Sequence, residues 1–593
     1  MTLPIGPGSH WARAAPDHPA WLILELLTAS VGLPFVLLSS TTPLLQHWVA
    51  RAGDAAPYRF FAVSNLASLL ALLAYPLLIE PALDMNTQRV CWSALYVVFV
   101  SLCTAAAWRS SRLADSAIVE ATLPSPACGT AARPLLWFAL AACGSMLLLS
   151  ITNHVTQNVA PVPLLWVLPL AAYLLSYVLC FSRATRYHRT FWLRALAVAL
   201  GALGYAVSDI NAIEAIQVSL PVFFLGLFTC CIFCHGELAS LRPSAQDLTR
   251  YYVLIAAGGA VGAIFVGIIA PKIFRGIYEL PVALLFTALV AVAAVWQSSW
   301  ALRLVWLGVS AAMAVVTAQN VKAFREDTVT MRRSFYGSLR VVESRHGGAK
   351  QYRTLFNGTI EHGAQFLLPP LRSRPTSYYG PDSGIGIVLR ECFPAPKRIG
   401  VVGLGVGTVA AYGDTGDVFR FYEINQQVAD IAQSLFFYLR ESRARTEMVI
   451  GDGRLSLERE TGAPFDVLAL DAFSGDAIPI HLLTQQALAL YSRHLNPAGV
   501  LAFHVSNHYL DLASVVQQLA AARGYESILV RNEADADRLI EPADWVLVTR
   551  NPAVLHNASI AVHRRTIAPR PGLRLWTDDY NNLLQILKPV KIQ

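Results

Sequence analysis

The chain of 593 residues is strongly apolar, since 55% of its residues are hydrophobic and only 14% are charged, with a formal net charge of +7. A mean hydropathy of +0.46 excludes a wholly water-soluble protein, and the length predicts more than one domain. The 46 basic residues are spread along the chain, which excludes the clustered basic surface of a nucleic-acid-binding protein. The nine cysteines are scattered, mostly within apolar segments, and do not indicate a disulfide framework.

Residues 1–320 carry most of the apolar sequence and are predicted to form an integral membrane domain with about ten transmembrane helices. The polar, proline-containing start of the chain indicates no cleavable signal peptide. Gly258 and Gly262 form a GxxxG motif, which predicts close helix packing. The first span contains two prolines and is also compatible with a span plus a re-entrant piece. The predicted spans lie near residues 22–48, 58–79, 89–108, 134–151, 160–181, 191–207, 212–234, 251–270, 279–296 and 300–319.

The loops between these spans alternate in basic content, as the positive-inside rule requires. Twelve arginines lie in one set of loops and four basic residues in the other, which places the first set in the cytoplasm and the amino terminus outside. An even number of spans then places the carboxyl-terminal domain outside as well. The larger set is Arg51, Arg59, Arg109, Arg112, Arg133, Arg183, Arg186, Arg189, Arg194, Arg242, Arg250 and Arg303, and the smaller set is Arg13, Arg89, Lys272 and Arg275.

Polar residues at membrane depth are functional candidates, because burying them without a partner is unfavourable. The three groups are Glu25 early in the first span; Asn153, His154 and Asn158 between the fourth and fifth spans; and Cys230, Cys231, Cys234, His235 and Glu237 in the seventh. Cys231 and Cys234 have the spacing of metal ligands beside His235, but no second Cys/His pair lies at zinc-site distance. We therefore favour a packed helix end over a metal site, and the middle group fits either a cavity or a loop.

Residues 321–390 change to a polar texture with period-two alternation, which predicts a small antiparallel sheet from about residue 326 to 368. A His-Gly-Gly turn and an Asn-Gly turn indicate hairpins. The glycine-rich loop that follows, SYYGPDSGIG, offers Tyr378, Tyr379 and Asp382. Paired tyrosines beside an acid suit an amine pocket, and ordinary loop packing would use the same residues.

The segment KRIGVVGLGVGTVAAYGDTGDVFRFYE organises residues 391–593, which are predicted to form a Rossmann-like domain. An apolar, β-branched run stops at Gly403, Gly405 and Gly407, and a second such run ends in Glu423. Strand, glycine turn, helix, strand and terminal acid in this order predict a nucleotide-binding unit, in which the acid accepts both hydroxyls of a ribose. The alternative is a tight turn in an α/β domain without a ligand.

The alternation of strands and helices continues and predicts a seven-stranded sheet of methyltransferase type. Asp452 ends the third strand, where its carboxylate can accept the amino group of adenine, cap the next helix, or do both. Asp471 ends the fourth strand and Asp476 follows it, while His504 at the end of the fifth fits a structural or a catalytic role. Because ligands bind beyond the carboxyl ends of parallel strands, these aspartates are expected to converge with Glu423 and the glycine turn on one crevice.

With these motifs in place, residues 391–593 resemble the spermidine synthases, or polyamine aminopropyltransferases. The whole chain is similar to the bacterial group in which such a domain is fused to a multi-spanning membrane domain. The resemblance implies that the glycine turn surrounds the donor, decarboxylated S-adenosylmethionine, or its product methylthioadenosine. It implies that Glu423 binds the ribose and Asp452 the adenine edge. It further implies that Asp476 holds and deprotonates the attacking amine, and that Asp471 binds the ammonium group of the donor.

The predicted amine pocket departs from the family pattern. The segment DAFSGDAIP sets its two aspartates five residues apart instead of three, and the tyrosine-histidine-glutamate motif of the family is replaced at Tyr378 and Tyr379. The family's glutamine after an aspartate-glycine turn is also absent, and His362 and Gln365 are nearby polar substitutes. The substrate-binding candidates are therefore Tyr378, Tyr379, Gln365 and Asp476.

We predict a membrane-bound aminopropyltransferase that transfers an aminopropyl group from decarboxylated S-adenosylmethionine to an amine. The reaction needs an adenosine pocket, a carboxylate to take the proton of the amine, and anionic surroundings for two cationic reactants. Asp578 and Asp579 are further acids for that last requirement. The glycine turn holds no Lys or Arg for the carboxylate of ordinary S-adenosylmethionine. The alternatives are a methyltransferase that uses S-adenosylmethionine on the same fold, and a transporter or sensor that binds a polyamine or nucleoside without turnover.

The expected partners are a small-molecule amine and the lipid bilayer, with no metal and no nucleic acid, and homo-oligomerisation is left open. The resemblance implies a multi-pass protein of the bacterial inner membrane. Because adenosyl donors are made in the cytoplasm, we expect the catalytic domain to be cytoplasmic, in conflict with the loop charges.

Overall fold

The computed structural model describes residues 19–51, 59–114, 132–158, 163–182, 187–208, 216–243, 247–344, 350–472 and 479–588. These residues form two compact units, which divide between Phe324 and Arg325. The first unit is helical, and the described strands all belong to the second.

The first unit, called the membrane unit below, is built from apolar helices. Three of them continue through π-helical turns, at Thr28–Gly32, Tyr75–Ile79 and Phe265–Ile269. The described helices are α1 (Pro19–Leu27), α2 (Leu33–Arg51), α3 (Arg59–Ala74), α4 (Glu80–Ala82), α5 (Met85–Ala114), α6 (Ala132–Asn158), α7 (Pro163–Phe181), α8 (Arg189–Ser208), α9 (Ile216–Ser240), α10 (Leu248–Ile264), α11 (Ala270–Ile273), α12 (Glu279–Ala294) and α13 (Trp300–Arg325).

Eight helical segments of the described chain are long and apolar enough to cross a membrane, with mean hydropathies between 1.5 and 2.5. Two of the predicted spans are shorter apolar helices, Leu165–Phe181 and Glu279–Ala294. The ten predicted spans therefore correspond to eight long helices and two shorter ones. The first span is one continuous helical segment, Pro19–Gln46, and not a span followed by a re-entrant piece. The structure confirms a multi-spanning α-helical fold for this part of the chain.

The GxxxG motif brings α10 against α6. A β carbon at Gly258 would overlap the carbonyl oxygen of Phe138, and one at Gly262 would overlap that of Ala142. The two helix backbones are therefore in direct contact, which confirms the close packing that the motif predicts. Any side chain at either glycine would push the helices apart.

The cysteine-rich segment of α9 is packed inside the membrane unit, where its three cysteines are fully buried. The ring of His235 stacks on Tyr177 with centroids 3.5 Å apart, and its Nδ1 lies 2.8 Å from Oγ of Ser176. Glu237 forms an ion pair with Arg189, with N and O atoms 2.8 Å apart. Within the described ranges, no group of three or more His, Cys, Asp or Glu side chains is placed to hold a metal. These contacts agree with helix packing.

The polar cluster expected between the fourth and fifth spans lies instead inside a helix. Because α6 continues to Asn158, Asn153 and His154 belong to its last two turns. The ring of His154 lies 4.9 Å from that of Phe223, so it packs against α9. The side chain of Asn158 is outside the described residues. On α1, Glu25 is exposed.

The second unit opens with a small antiparallel sheet, as predicted. Its strands β1 (Thr328–Ser334), β2 (Gly337–Glu343), β3 (Tyr352–Asn357) and β4 (Ile360–Phe366) pair in chain order. The predicted Asn-Gly turn joins β3 to β4, with Gly358 at φ 64°. The predicted His-Gly-Gly turn lies outside the described residues.

The second sheet is mixed, with the order β12-β10-β11-β9-β8-β5-β6-β7. Strands β5 to β9 run parallel, and β11 is antiparallel to both β9 and β10. This order confirms the predicted seven strands of the methyltransferase-type Rossmann-like fold and adds the short edge strand β12. The strands are β5 (Arg398–Val402), β6 (Val418–Glu423), β7 (Arg445–Ile450), β8 (Phe465–Leu470), β9 (Leu495–His504), β10 (Glu526–Asn532), β11 (Ala543–Thr549) and β12 (Arg564–Arg565).

Both faces of this sheet are covered by helices. Alternate residues of β8 accordingly belong to two separate buried clusters, one on each face. The helix predicted from Gln426 to Leu439 ends at Leu435. It ends there because Phe436 takes an extended backbone and packs, fully buried, against the small sheet. The helices are α14 (Gly384–Ile387), α15 (Gln426–Leu435), α16 (Tyr438–Glu441), α17 (Gly453–Arg459), α18 (Gln485–Arg493), α19 (Leu512–Ala521), α20 (Pro552–Leu555) and α21 (Ala558–His563).

Candidate active site

The glycine turn follows β5 at the point where the strand order reverses, and it leads into a single 3-10 turn instead of a long helix. Gly403, Gly405 and Gly407 have φ angles of 99°, 55° and 83°, which favour glycine. A β carbon on Gly403 would overlap the carbonyl oxygen of Asp471, and one on Gly405 would lie 2.6 Å from that of His362. The turn therefore passes between the end of β8 and strand β4 with no room for a side chain at Gly403 or Gly405.

Glu423 ends β6 beside the glycine turn and is 7% exposed. Its Oε2 accepts a hydrogen bond from the backbone N–H of Leu404 at 3.1 Å, and its Oε1 accepts one from that of Asn425 at 2.9 Å. Burial raises the pKa of Glu423 to about 7, although these hydrogen bonds act in the opposite direction. The structure places the acid at the predicted strand end, and its binding of ribose stays a prediction.

Asp452 lies beyond β7 and caps α17, since its Oδ1 accepts a hydrogen bond from the N–H of Leu455 at 2.9 Å. Its Oδ2 lies 2.9 Å from Nε2 of His481. Burial favours a higher pKa, but the contacts with His481 and with backbone N–H groups outweigh it and lower the pKa of Asp452. Asp452 therefore caps the helix with one oxygen. Its other oxygen, the one left to accept the amino group of adenine, already contacts His481.

Asp471 follows β8 and lies between two hydrogen-bond donors. Nδ1 of His504, the last residue of β9, is 2.6 Å from its Oδ1, and the hydroxyl of Tyr379 donates to its Oδ2. The side chains of Asp471 and His504 are 9% and 6% exposed. A carboxylate facing Nδ1 favours the imidazole tautomer that carries its proton there. Both oxygens of Asp471 are therefore oriented from within the protein.

Two aromatic rings contact His504. The centroids of Tyr378 and Trp545 each lie 4.9 Å from that of the imidazole. Trp545 is the register partner of His504 on β11, and its indole N–H donates to the carbonyl of Tyr378 at 3.1 Å. The hydroxyl of Tyr378 donates to the carbonyl of Glu361 at 2.6 Å. The structure therefore brings Tyr378 and Tyr379 together with Asp471 and adds His504 to them.

Gln365, a further substrate-binding candidate, does not join this cluster. The amide of Gln365, which is fully buried, donates to the carbonyl of Arg372 at 2.9 Å and accepts from the N–H of Phe437 at 2.7 Å. The structure therefore assigns Gln365 to the support of two neighbouring loops. Asp476 lies outside the described residues.

Strand β4 and the loop after it add Glu361 and Ser377, which the sequence alone does not single out, next to His362, which it names as a polar substitute. Oγ of Ser377 donates to Oε1 of Glu361 at 2.7 Å, and burial raises the pKa of Glu361 although this bond acts in the opposite direction. Nε2 of His362 is buried without a hydrogen-bond partner in the described part of the chain. Burial lowers the pKa of His362, and the nearby Asp471 opposes this effect. The three-dimensional contacts are needed to find Glu361 and Ser377, because the strand pattern gives them no distinct signal.

Asp578 does not supply the free negative charge expected of it. Its two oxygens accept hydrogen bonds from the guanidinium of Arg454 at 2.8 and 2.7 Å. The hydroxyl of Thr484 donates to the same carboxylate at 2.7 Å. The bidentate ion pair therefore neutralises Asp578, while the neighbouring Asp579 is exposed.

The class is defined by the sheet order, by the glycine turn and by the acids at the carboxyl ends of β6, β7 and β8. It is a Rossmann-like domain of methyltransferase type with a small antiparallel sheet. No family model matches the chain. It is 35% identical over 115 residues to a polyamine aminopropyltransferase of Vibrio vulnificus, a match that covers 18% of this chain and 37% of that protein. This match confirms the similarity to the aminopropyltransferases that the motifs indicate. The chain thus spans well under two thirds of the length of that relative.

Two solved structures show similarity as well. A probable spermidine synthase from Corynebacterium glutamicum is 17% identical, with a TM-score of 0.31, over 37% of this chain and 79% of that one. The spermidine synthase from Thermotoga maritima is 11% identical, with a TM-score of 0.30, over 44% of this chain and 85% of that one.

Proposed function

We propose that the chain is a membrane-bound aminopropyltransferase that moves an aminopropyl group from decarboxylated S-adenosylmethionine to a small amine and releases methylthioadenosine. The observation that carries the proposal is the convergence of Glu423, Asp452 and Asp471 with the glycine turn at the carboxyl edge of one sheet. The similarity to a polyamine aminopropyltransferase supports this reaction over others that the same fold serves.

The donor-binding part of the proposal rests on Glu423 and Asp452. Glu423 is fixed next to the turn by Leu404 and Asn425, so an ionised carboxylate there can accept both hydroxyls of a ribose. Asp452 stands on the neighbouring strand end, where its Oδ2 can accept the amino group of adenine once His481 moves. Carboxylates on adjacent strands therefore match the two polar edges of adenosine.

The chemical step is a displacement at carbon. The lone pair of the amine forms a bond to the methylene carbon next to the sulfonium, and the carbon–sulfur bond breaks with its electrons left on sulfur, giving a neutral thioether. The new ammonium then gives its proton to Asp476, a role that we assign to this residue from the sequence. Asp471, which is oriented by Tyr379 and His504, would face the cationic donor. Tyr378 and Tyr379 would line the amine side.

The sequence of the turn favours the decarboxylated donor, because GLGVGTVAAYGDTG contains no Lys or Arg to pair with a methionine carboxylate. We place the enzyme in the bacterial inner membrane as a multi-pass protein, with the catalytic unit on the cytoplasmic side where the donor is made. The helices that are long and apolar enough to cross a bilayer support the membrane part of this proposal.

Mass spectrometry on the full-length purified protein tests the reaction. The protein is incubated with decarboxylated S-adenosylmethionine or S-adenosylmethionine and a panel of diamines and polyamines. The expected result is an amine heavier by one aminopropyl group, together with methylthioadenosine. A methylated product with S-adenosylhomocysteine would replace the proposal by a methyltransferase, and tight binding of the amines without any product would replace it by a sensor or transporter. Asp471→Asn serves as the low-activity control.

A further inference from the structure

Exposed apolar side chains adjoin the two carboxylates proposed for the donor. From Arg325 onward, seven large apolar side chains of the described residues are exposed, and three of them lie here. Ile424, 43% exposed, directly follows Glu423, and Ile450, 44% exposed, is the register partner of Glu423 on β7. Leu455 is 36% exposed, and its N–H is the one bonded to Asp452. Apolar side chains beside two acids form a surface suited to a flat apolar ligand with polar edges.

The small sheet is fixed directly over the glycine turn. Leu339 and Val341 of β2 form one buried cluster with Val406 of the turn and Ile431 of α15. A β carbon on Gly363 of β4 would lie 2.6 Å from Cγ2 of Val406, so the sheet and the turn are in close contact. The hairpin formed by β1 and β2 therefore keeps a fixed position relative to Glu423.

The turn of this hairpin carries Tyr336. Arg332, near the end of β1, reaches Asp430 of α15 at 3.5 Å, and the amide of Gln427 donates to the carbonyl of Arg333 at 3.4 Å. Because α15 begins three residues after Glu423, these contacts bring the turn next to that acid. Burial raises the pKa of the Tyr336 phenol, and the negative charges of Asp452 and Glu423 raise it further. The phenol is therefore within electrostatic reach of both acids.

We propose that Tyr336 contacts the purine base of a bound nucleoside, as the aromatic wall of a slot whose aliphatic wall is formed by Ile424 and Ile450. The proposal rests on the proposed function, because it takes Glu423 and Asp452 as the groups that hold ribose and base. A purine offers a large flat face to an aromatic ring, and stacking of this kind is favourable for every base. Tyr336 comes from the small sheet, so the base is bound between this sheet and the Rossmann-like sheet.

Calorimetry with methylthioadenosine on the full-length protein tests this inference. Tyr336→Ala is expected to weaken binding at least about fivefold, the lower end for loss of one stacked base. Tyr336→Phe, which keeps the ring, should bind within twofold of the wild type. Tyr352→Ala is the matched control, because Tyr352 lies on β3 of the same sheet and packs on Phe366. Thermal unfolding of each variant verifies that the sheet stays folded.

The outcomes separate the two proposals. Equal affinity of Tyr336→Ala and the wild type overturns the stacking role, as does an equal loss in Tyr336→Phe and Tyr336→Ala, because the hydroxyl or the fold would then be responsible. A protein that binds methylthioadenosine through Tyr336 but transfers no aminopropyl group overturns only the proposed reaction. A wild type that binds none of methylthioadenosine, S-adenosylmethionine and its decarboxylated form overturns both.

Discussion

Nδ1 of His504 lies 2.6 Å from Oδ1 of Asp471, although the two residues are 33 positions apart and end different strands. The contact exists because β8 and β9 are parallel neighbours whose carboxyl ends meet at one edge. Tyr379 holds the other oxygen, so the carboxylate is fixed from two sides. The orientation of Asp471 therefore depends on a histidine that the family resemblance does not include.

Removal of this histidine should disturb the position of Asp471. His504→Ala is expected to lower kcat by up to about a hundredfold, the scale of a small misplacement of a reacting group, with less effect on the KM for the donor. Steady-state kinetics at several pH values measures both. His508→Ala, an exposed histidine four residues further on, is the matched control. An unchanged kcat and pH profile in His504→Ala would show that the contact only supports the fold.

Ligand binding should depend on pH through Glu423. Because burial raises its pKa to about 7, the ligand-free acid carries a proton below that pH and accepts the ribose hydroxyls less well. Affinity for methylthioadenosine is therefore expected to rise between about pH 6 and 8, and Glu423→Gln should remove this dependence. Calorimetry in that range measures it. The unfolded acid titrates near 4.5, so ionisation of Glu423 lowers the stability of the ligand-free protein progressively from there to about pH 7.

His481 should compete with the ligand for Asp452. Since Nε2 of His481 lies 2.9 Å from Oδ2 of Asp452, an adenine amino group would compete with the imidazole for this oxygen. His481→Ala is expected to tighten methylthioadenosine binding about tenfold, the lower end for the loss of one competing hydrogen bond to a charged group. The deaminated analogue methylthioinosine has no amino group and should show no gain. A similar gain for both ligands would remove Asp452 from base recognition.

The proton acceptor is predicted from sequence alone. Asp476→Asn should keep methylthioadenosine affinity but lower turnover by a hundredfold or more, the approximate scale of a lost general base. An amide cannot accept the proton of the attacking amine, whereas it leaves the donor site unchanged. Rapid-quench measurement of the first turnover isolates the chemical step. If Asp476→Asn turned over normally while Asp471→Asn was inactive, the roles of the two aspartates would be exchanged.

The short helix α12 affects the prediction of which side of the membrane the catalytic unit occupies. Helix α12, Glu279–Ala294, spans 16 residues, which is about 24 Å against a hydrocarbon core of about 30 Å. If α12 does not cross, the catalytic unit is expected in the cytoplasm, and only Arg303 changes sides among the twelve arginines predicted to be cytoplasmic. The loop charges and the supply of the donor then agree.

Reporter fusions test this topology. A phosphatase active only in the periplasm is expected to be inactive when fused after Gln593 and active when fused after Ser298, in the connection between α12 and α13. The reverse pattern would mean that α12 crosses and that the catalytic unit faces the periplasm. A fusion after Arg51 is the control, since the loop between the first and second predicted spans is expected in the cytoplasm in either case.

The strand ends and the glycine turn could be predicted because their signals are local. Periodic apolar runs mark each strand, and glycines with positive φ follow β5 where a side chain would not fit. Glu423, Asp452 and Asp471 then follow from chain order, because parallel strands end at one edge. The GxxxG motif is an equally local signal, since Gly258 and Gly262 lie four residues apart and both contact α6.

The contacts that complete the site could not be predicted, because they depend on strands that are distant in sequence. Trp545 reaches His504 only since β11 inserts between β9 and β10, against chain order. Tyr336 approaches Glu423 through a hairpin more than eighty residues earlier in the chain. Gln365 is a ligand candidate by its position, but its amide is hydrogen-bonded to the backbone of Arg372 and Phe437, and a backbone partner leaves no pattern in a sequence.

The close contact of Gly363 with Val406 affects the choice of a fragment of this protein for expression. The strand that carries Gly363 and the turn that carries Val406 pack directly on each other, so we expect each to lose support when the other is removed. A fragment for expression that starts at the Rossmann-like strands would leave the apolar face of Val406 and Ile431 open to water and prone to aggregation. The smallest fragment worth making therefore starts near Arg325, ahead of the first hairpin.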